Sequence, residues 1–279
     1  MIVPKASHAS NENSNDSPVI ILVHGTKYEG LDVKMDSLWR MFLADGFPAD
    51  RIFAPKYDSS KDWEGIRAEL APQILQTVRY FGPSQRYIVI GHSLGQFAAL
   101  YTIAKTEDPF FNAGRDPDSS RFVSSRFDLL VGLAGIAKGW NRIDPFPEYP
   151  TINRMAINRA VKTLNSASDF ALMPYIDTNP ALQSFYAESN ALLSRPGFRA
   201  CSLYTPNDRL VRTPVEAGKL SEEWYRVPDS ILPLYGFGEF FPLRTLEARV
   251  FSALTFTHLE FIRNPAVYRF MKDMCRISR

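Results

Sequence analysis

The sequence predicts an α/β fold: a mostly parallel central sheet of about six strands, helices on both faces, and an inserted helical cap. Short apolar runs alternate with segments of helical periodicity, which is typical of parallel strands buried on both faces. The alternation stops at about residues 140–198, where prolines interrupt short helical pieces, and then resumes. We therefore expect a flexible leader over 1–17 and one domain over 18–279 that contains this cap.

Composition and charge exclude several classes of function. The chain has 279 residues, 45% hydrophobic and 22% charged, as in ordinary globular proteins. Its 32 basic and 30 acidic residues leave a net charge of +2, so electrostatics does not favour nucleic acid as a partner. The uncharged stretch 87–104 has Gly91, His92 and Ser93 near its centre, which excludes an integral membrane segment. Residues 1–17 lack an apolar run of signal-peptide length, so we expect a cytoplasmic protein.

Four strands are predicted before the cap. The first, VIILVHG, combines branched apolar side chains with a terminal glycine, which indicates a buried strand. Three further segments are interpreted as strands, namely RIFAPKY, RYIVIGH and RFDLLVGLAG, so the four predicted strands cover residues 19–25, 51–57, 86–92 and 126–135.

Three helices separate these strands. Leu38 and Phe42 fall on one face of the first helix, before a stop at Gly46. The second helix has apolar residues at steps of three and four, Asp62 in its first turn, and Pro72, which predicts a kink. The three helices cover residues 33–45, 59–81 and 94–105.

Two strands and a helix complete the predicted domain. FRACSLYT, at 198–205, is the fifth strand, and an irregular aromatic stretch follows it. EARVFSAL, at 247–254, is predicted as the last strand, and 259–275 as the closing helix.

The strongest functional signal is the GHSLG motif around Ser93, where the third strand gives way to a helix. Such a strand–turn–helix context places a nucleophilic serine on a strained turn above the sheet, with glycines that allow close packing. The alternative is an ordinary strand–helix turn. A serine also needs a histidine base within hydrogen-bond reach.

His258 is the candidate base. His8 is in the leader, His24 is in the turn after the first strand, and His92 adjoins Ser93 with its side chain directed elsewhere. His258 is predicted in the loop between the last strand and the closing helix, where strand ends meet the functional edge of the sheet. The alternative is a structural histidine bonded at the surface or in the core.

Asp208 is the candidate acid that orients the base, because it closely follows the strand at 198–205. Asp229 and Glu239 are alternatives, since they also lie between Ser93 and His258 in the sequence. Asp208 could instead use its carboxylate locally in a turn.

An acyl-transfer site also needs two N–H donors where the oxyanion develops. The Leu94 N–H, at a helix N-terminus, is the first candidate, and the Thr26 N–H, after the first strand, is the second. The alternative for the His24–Gly25 pair is a simple tight turn.

The sequence indicates no cofactor and no metal site. It has four histidines and two cysteines, without the spacing of metal ligands. Cys201 and Cys275 are interpreted as free, buried thiols, with a single disulfide between them as the alternative.

Over roughly residues 18–276 the chain resembles the α/β-hydrolase superfamily, and most closely small bacterial and fungal lipases and esterases of the lipase class 2-like type. Ser93, Asp208 and His258 also occur in the chain order of that superfamily. The resemblance implies cofactor-free hydrolysis of a small-molecule or lipid ester, with transient contact at a lipid interface left open. One departure is Gln96, where many relatives have a second glycine. The matching segments are ILVHGT (21–26), VIGHSLGQ (89–96), LVGLAGIAKG (130–139), LYTPNDRLV (203–211) and FTHLEFIRNPAVYRFM (256–271).

The cap segment 166–188 resembles the piece of these lipases that lies beside the site. Phe170, Met173, Tyr175 and Phe237 are candidate substrate-binding residues, although aromatic clusters also occur as plain core. The same triad would serve an acyltransferase, a thioesterase or a polyester depolymerase, and a non-catalytic interaction module is a further alternative. The sequence leaves the oligomeric state open.

Overall fold

The computed structural model describes residues 17–26, 35–111, 121–135, 193–211, 223–235 and 243–278, with Thr151, Arg154, Ser189 and Glu239. These residues form one six-stranded sheet, with strands β1 (Val19–Val23), β2 (Ile52–Phe53), β3 (Tyr87–His92), β4 (Phe127–Leu133), β5 (Arg199–Tyr204) and β6 (Glu223–Arg226). The order in the sheet is β2-β1-β3-β4-β5-β6, and every neighbouring pair is parallel. The predicted parallel sheet is confirmed.

Helices cover both faces of this sheet. Right-handed crossovers that run in opposite directions from β1 and β2 place their helices on opposite faces. The described helices are α1 (Asp36–Ala44), α2 (Trp63–Phe81), α3 (Leu94–Lys105), α4 (Leu246–Arg263) and α5 (Pro265–Cys275), with short 3₁₀ helices at Ala49–Arg51 and Val123–Arg126. In agreement with these crossovers, α2 packs against α3, whereas α1 packs against α4 and α5. None of the described helices is long and apolar enough to cross a membrane.

Side-chain caps explain where several helices begin. Asp62 accepts a hydrogen bond from the Gly65 N–H at the start of α2, and Pro72 lies within that single helix. Thr245 accepts from the Ala248 N–H at the start of α4. The Asn264 side chain caps α5 by accepting a hydrogen bond from the Ala266 N–H. Pro265 suits the first position of that helix, because a proline has no N–H that would be left unpaired there.

The sixth strand lies elsewhere than the sequence predicts. The prediction of a strand at residues 247–254 is wrong, because these residues lie in the first half of α4. The residues that α4 buries, including Val250, Leu254, Thr257 and Phe261, recur at steps of four and three, which is the helical period. The observed sixth strand is Glu223–Arg226, within the stretch interpreted as irregular.

Two further boundaries differ from the prediction. The closing helix predicted over 259–275 is divided between α4 and α5 at Asn264, because Pro265 ends the preceding hydrogen-bond ladder. The second strand, predicted over 51–57, is limited to Ile52–Phe53. Most of the predicted cap at 140–198 lies outside the described residues.

Candidate active site

Ser93 lies on a strained turn between β3 and α3. Its backbone has φ 54° and ψ −124°, in a region that L-residues rarely adopt. The Ser93 N–H donates to the Leu133 carbonyl at 2.9 Å, which ties the turn to β4. Strain of this kind costs about 1–3 kcal/mol and persists only where the surrounding structure enforces it. Ser93 therefore lies between the strand and the helix, at the carboxyl end of the sheet, and belongs to neither element.

The two motif glycines permit close packing around this turn. A Cβ atom on Gly91 would overlap the backbone of Gln96, and one on Gly95 would overlap the carbonyl oxygens of Val23 and His24. Any larger residue at either position would therefore push α3 away from β1 and β3.

Asp208 and His258 form a buried pair. The Asp208 Oδ2 atom lies 2.7 Å from His258 Nδ1, and both side chains are 0% exposed. The other carboxylate oxygen accepts the N–H groups of Leu210 at 2.8 Å and Val211 at 3.0 Å. A carboxylate that accepts at Nδ1 keeps the proton on that nitrogen, which leaves Nε2 as the basic atom of the ring. His258 Nε2 is buried and has no hydrogen-bond partner in the described part of the chain.

His258 differs from its predicted location in a loop, because it lies inside α4. A side chain of the serine turn contacts it: His92 Nε2 lies 2.9 Å from the His258 carbonyl oxygen, and the two rings are 4.6 Å apart. Burial, and next the neighbouring His258, lower the pKa of His92 well below its ordinary value of 6.5. Neutral His92 can therefore donate its Nε2–H to this carbonyl.

The candidate oxyanion donors are Leu94, which directly follows Ser93, and Thr26, which follows the neighbouring strand β1. Leu94 is the first residue of α3 and is fully buried. Thr26 follows β1, is also buried, and its hydroxyl has no hydrogen-bond partner among the described residues. Unpaired helical N–H groups at the start of α3 provide the partial positive charge that an oxyanion needs.

Tyr57 supports the turn after β1, a role that sequence reasoning missed. Its hydroxyl donates to the His24 carbonyl at 2.5 Å, and its ring stacks on the His24 ring at 4.2 Å with 16° between the planes. Burial strongly raises the pKa of Tyr57, so the hydroxyl keeps its proton. The prediction placed Tyr57 at the end of a strand, and no motif in the sequence signals its contact with His24.

Gln96, the departure from the family pattern, fills space beside β4 and β5. It is fully buried, and its Nε2 donates to the Ser202 hydroxyl at 2.6 Å. A Cβ atom on Gly132 or Gly135 would overlap the Gln96 amide. The larger side chain is therefore accommodated by glycines in LVGLAG.

The remaining candidates do not join this arrangement. Asp229 is exposed and pairs with Arg226 at 3.0 Å, and Glu239 is exposed as well. In the described ranges, no group of three or more His, Cys, Asp or Glu side chains is arranged to hold a metal ion. The substrate-binding candidates lie outside the described residues, namely Phe170, Met173, Tyr175 and Phe237.

Known structures resemble the chain at low identity. Phospholipase PlaB from Legionella pneumophila, in complex with thio-NAD, is 12% identical with a TM-score of 0.40, and the match covers 67% of this chain and 37% of PlaB. The lin2722 product of Listeria innocua is 12% identical with a TM-score of 0.44, over 92% of this chain and 93% of that one. The esterase RhEst1 from Rhodococcus sp. ECU1013 is 15% identical with a TM-score of 0.39, and the match covers 77% of this chain and 83% of RhEst1. No protein-family model and no curated protein matches the chain.

The function of the site is therefore argued from the residues of this chain. All six strands are parallel, so their carboxyl ends share one edge of the sheet. Ser93 follows β3, Thr26 follows β1 and Asp208 follows β5, while α4 contributes His258. This sheet, with a strained serine turn after β3 and helices on both faces, gives the described residues an α/β fold with an all-parallel sheet.

Proposed function

We propose that the protein is a serine hydrolase that cleaves carboxylic esters through an acyl-enzyme on Ser93. The observation that carries the proposal is the buried Asp208–His258 pair, which leaves His258 Nε2 unpartnered among the described atoms. Through His92, the helix that carries this base is bonded to the serine turn. A buried base without a partner, on a helix that is bonded to the residue before a strained serine, fits general base catalysis.

In the first half-reaction, His258 Nε2 takes the proton of the Ser93 hydroxyl while Oγ attacks the ester carbonyl carbon. The carbonyl π electrons move to oxygen, and the Thr26 and Leu94 N–H groups stabilise the resulting oxyanion. When the tetrahedral intermediate collapses, the C–O bond to the alcohol breaks and His258 returns its proton to the leaving oxygen. Asp208 remains ionised and stabilises the imidazolium.

In the second half-reaction, water replaces the alcohol. His258 takes a proton from the water, whose oxygen attacks the acyl carbon, and the proton then passes to Ser93 Oγ as the acid leaves. The net reaction consumes one ester and one water and gives one acid and one alcohol, so the chemistry is complete without a cofactor.

The test is hydrolysis of p-nitrophenyl esters from short to long acyl chains by wild type and Ser93→Ala. We expect Ser93→Ala to lower kcat by about 10⁴–10⁶-fold. A fluorophosphonate should label wild type at Ser93 and leave the variant unlabelled. Ser124→Ala, at another buried serine, is the control and should keep wild-type activity. Equal activity of wild type and Ser93→Ala would refute the proposal.

We also propose that Phe170, Met173, Tyr175 and Phe237 bind the acyl chain within a domain over 18–279 that has a cap at about 140–198. The support is the cluster of apolar and aromatic residues in the sequence. Replacing Met173 by alanine should then shift the chain-length optimum while short esters keep their kcat. An unchanged chain-length profile would count against this role.

A further inference from the structure

We propose that His92 is a positioning residue that fixes the main chain of His258 relative to Ser93. The inference rests on the proposed function, because it assigns His92 a part in placing the base of that reaction. Its Nε2 lies 2.9 Å from the His258 carbonyl oxygen and 166 residues away in sequence, so the contact joins two distant segments.

This contact supplies a restraint that the Asp208 bond does not. Asp208 holds Nδ1 and thereby fixes the rotation of the imidazole ring. The main chain of His258 belongs to α4, which packs principally against α1 and α5. A helical carbonyl has a second lone pair after it accepts its own helix N–H, and His92 uses that free position. The His92 bond therefore links α4 directly to the turn that carries Ser93.

The protonation state of His92 agrees with this role. Burial, and next the neighbouring His258, keep its pKa low, so the ring is neutral with its proton on Nε2. A donor is required there, since the partner is a carbonyl oxygen. A neutral ring also adds no positive charge beside His258, whose imidazole becomes an imidazolium during the proposed reaction. His92 Nδ1 is buried without a partner in the described part of the chain, so the bond to His258 is the polar contact that its ring makes there.

Three substitutions separate positioning from simple packing. His92→Leu fills a similar volume without a donor. His92→Gln places an amide N–H near the position of Nε2, whereas the shorter side chain of His92→Asn places it near Nδ1 and short of the carbonyl. A positioning role requires activity to follow the donor at Nε2, while a packing role requires it to follow volume.

The experiment measures kcat and KM for a p-nitrophenyl ester, with active sites counted by fluorophosphonate labelling to its end point. We expect His92→Leu and His92→Asn to lower kcat by about 10- to 100-fold, because small displacements of catalytic groups carry penalties of this size. KM should stay within about twofold, since ground-state binding is untouched. His92→Gln should recover most of kcat. Thr102→Val, at a buried polar residue farther along α3, should keep wild-type kcat.

A second arm places the same changes in Ser93→Ala. There His92→Leu should cause no further loss of the residual rate, since it acts only through the Ser93 reaction. Wild-type kcat in His92→Leu, or equal losses in His92→Gln and His92→Leu, would overturn the inference. If His92→Leu does not fold, the Gln and Asn pair decides between the two roles. Wild type that neither hydrolyses esters nor reacts with the probe would refute the proposed function itself, which is a distinguishable result.

Discussion

Asp208 is a carboxylate removed from water and stabilised by three hydrogen bonds. Two come from the N–H groups of Leu210 and Val211, and the third comes from His258 Nδ1. A buried charge without such partners would cost several kcal/mol. The alternative interpretation of Asp208, a turn residue that bonds locally, describes one of its two carboxylate oxygens. The other oxygen reaches His258, so a single side chain shapes its own loop and orients the candidate base.

His92 should make stability depend on pH. In the folded protein its pKa lies well below 6.5, whereas in the unfolded chain it returns to about 6.5. Below that pH the unfolded state binds a proton that the folded state does not, so the free energy of unfolding falls as pH decreases from 7 to 5. One such group can change the free energy of unfolding by at most about 1.4 kcal/mol per pH unit.

Urea unfolding at pH 7 and pH 5 measures this contribution. His92→Gln removes the titrating group, so the difference in free energy of unfolding between the two pH values should be smaller than in wild type. All other titrating groups are common to the two proteins. Identical pH dependence in both would show that His92 is not held neutral by the fold.

At the scale of elements, the strand and helix that flank the GHSLG motif were predictable from the sequence, whereas the sixth strand of the sheet was not. GHSLG follows a branched apolar run, and both flanking elements form where the sequence predicts them. The sixth strand, by contrast, is four residues long and lies at the sheet edge, where Glu223 and Arg226 are exposed. Such a strand lacks the apolar run that identifies its buried neighbours.

The error at 247–254 has a physical cause as well. A window of eight residues is too short to distinguish a buried strand from a buried helix by apolar content alone. Two features of a longer window distinguish the helix: the N-cap at Thr245, and apolar residues at steps of three and four that continue through Phe261. Together they predict one long helix. His258 was selected by elimination among the four histidines, while the expectation that it lies in a loop after a strand was wrong.

The turn after β1 should depend on Tyr57. Tyr57→Phe removes the bond to the His24 carbonyl but keeps the stacked ring. We expect kcat to fall about tenfold, less than the 10²- to 10³-fold loss for removing an oxyanion donor outright. KM should be unchanged, and a trifluoromethyl ketone that mimics the tetrahedral intermediate should bind correspondingly more weakly.

Tyr87→Phe is the matched control for this prediction. Tyr87 is also buried and donates its hydroxyl to the Gly82 carbonyl at 2.7 Å, at the opposite end of β3 from the serine turn. It should lower stability without lowering kcat. Equal kcat values for Tyr57→Phe and wild type would contradict a supporting role for Tyr57.

Gln96 and Gly132 should be energetically coupled across the α3–β4 contact. Gly132→Ala alone should lower the free energy of unfolding by about 1–3 kcal/mol, because its methyl group overlaps the Gln96 amide. In a Gln96→Ala background the same change should cost less, with a coupling energy of about 0.5–3 kcal/mol. Urea unfolding of the four proteins measures the cycle. Additive effects would mean that the two residues do not share this space.

At the scale of the whole molecule, a parallel sheet gathers residues that are far apart in the chain. Thr26, Ser93 and Asp208 each follow a different strand, and the parallel orientation of the strands places all three at one edge of the sheet. The motif context and the order of these residues along the chain made them candidates, because both can be read directly from the sequence. Contacts such as His92 with His258 depend on how separate elements pack, and no local pattern encodes that.

The two thiols should report global unfolding. Cys201 on β5 and Cys275 at the end of α5 are both free and buried. A hydrogen bond with Cys201, and then burial, raise the pKa of Cys275. We expect 5,5′-dithiobis(2-nitrobenzoic acid) to leave both thiols unmodified in the native protein and to titrate two in urea. Rapid reaction in the native state, or no thiol after unfolding, would contradict this arrangement.

Because His258 lies on α4, the geometry of the candidate site depends on the rotation of that helix about its axis. One residue inserted between Thr245 and His258 would turn the imidazole by about 100° around the helix axis and advance it by about 1.5 Å. The base would then face away from Asp208, although every residue of the site would still be present. The same insertion before the Thr245 cap would only lengthen a connection. The site is therefore encoded in the spacing of the helix as firmly as in the identity of its side chains.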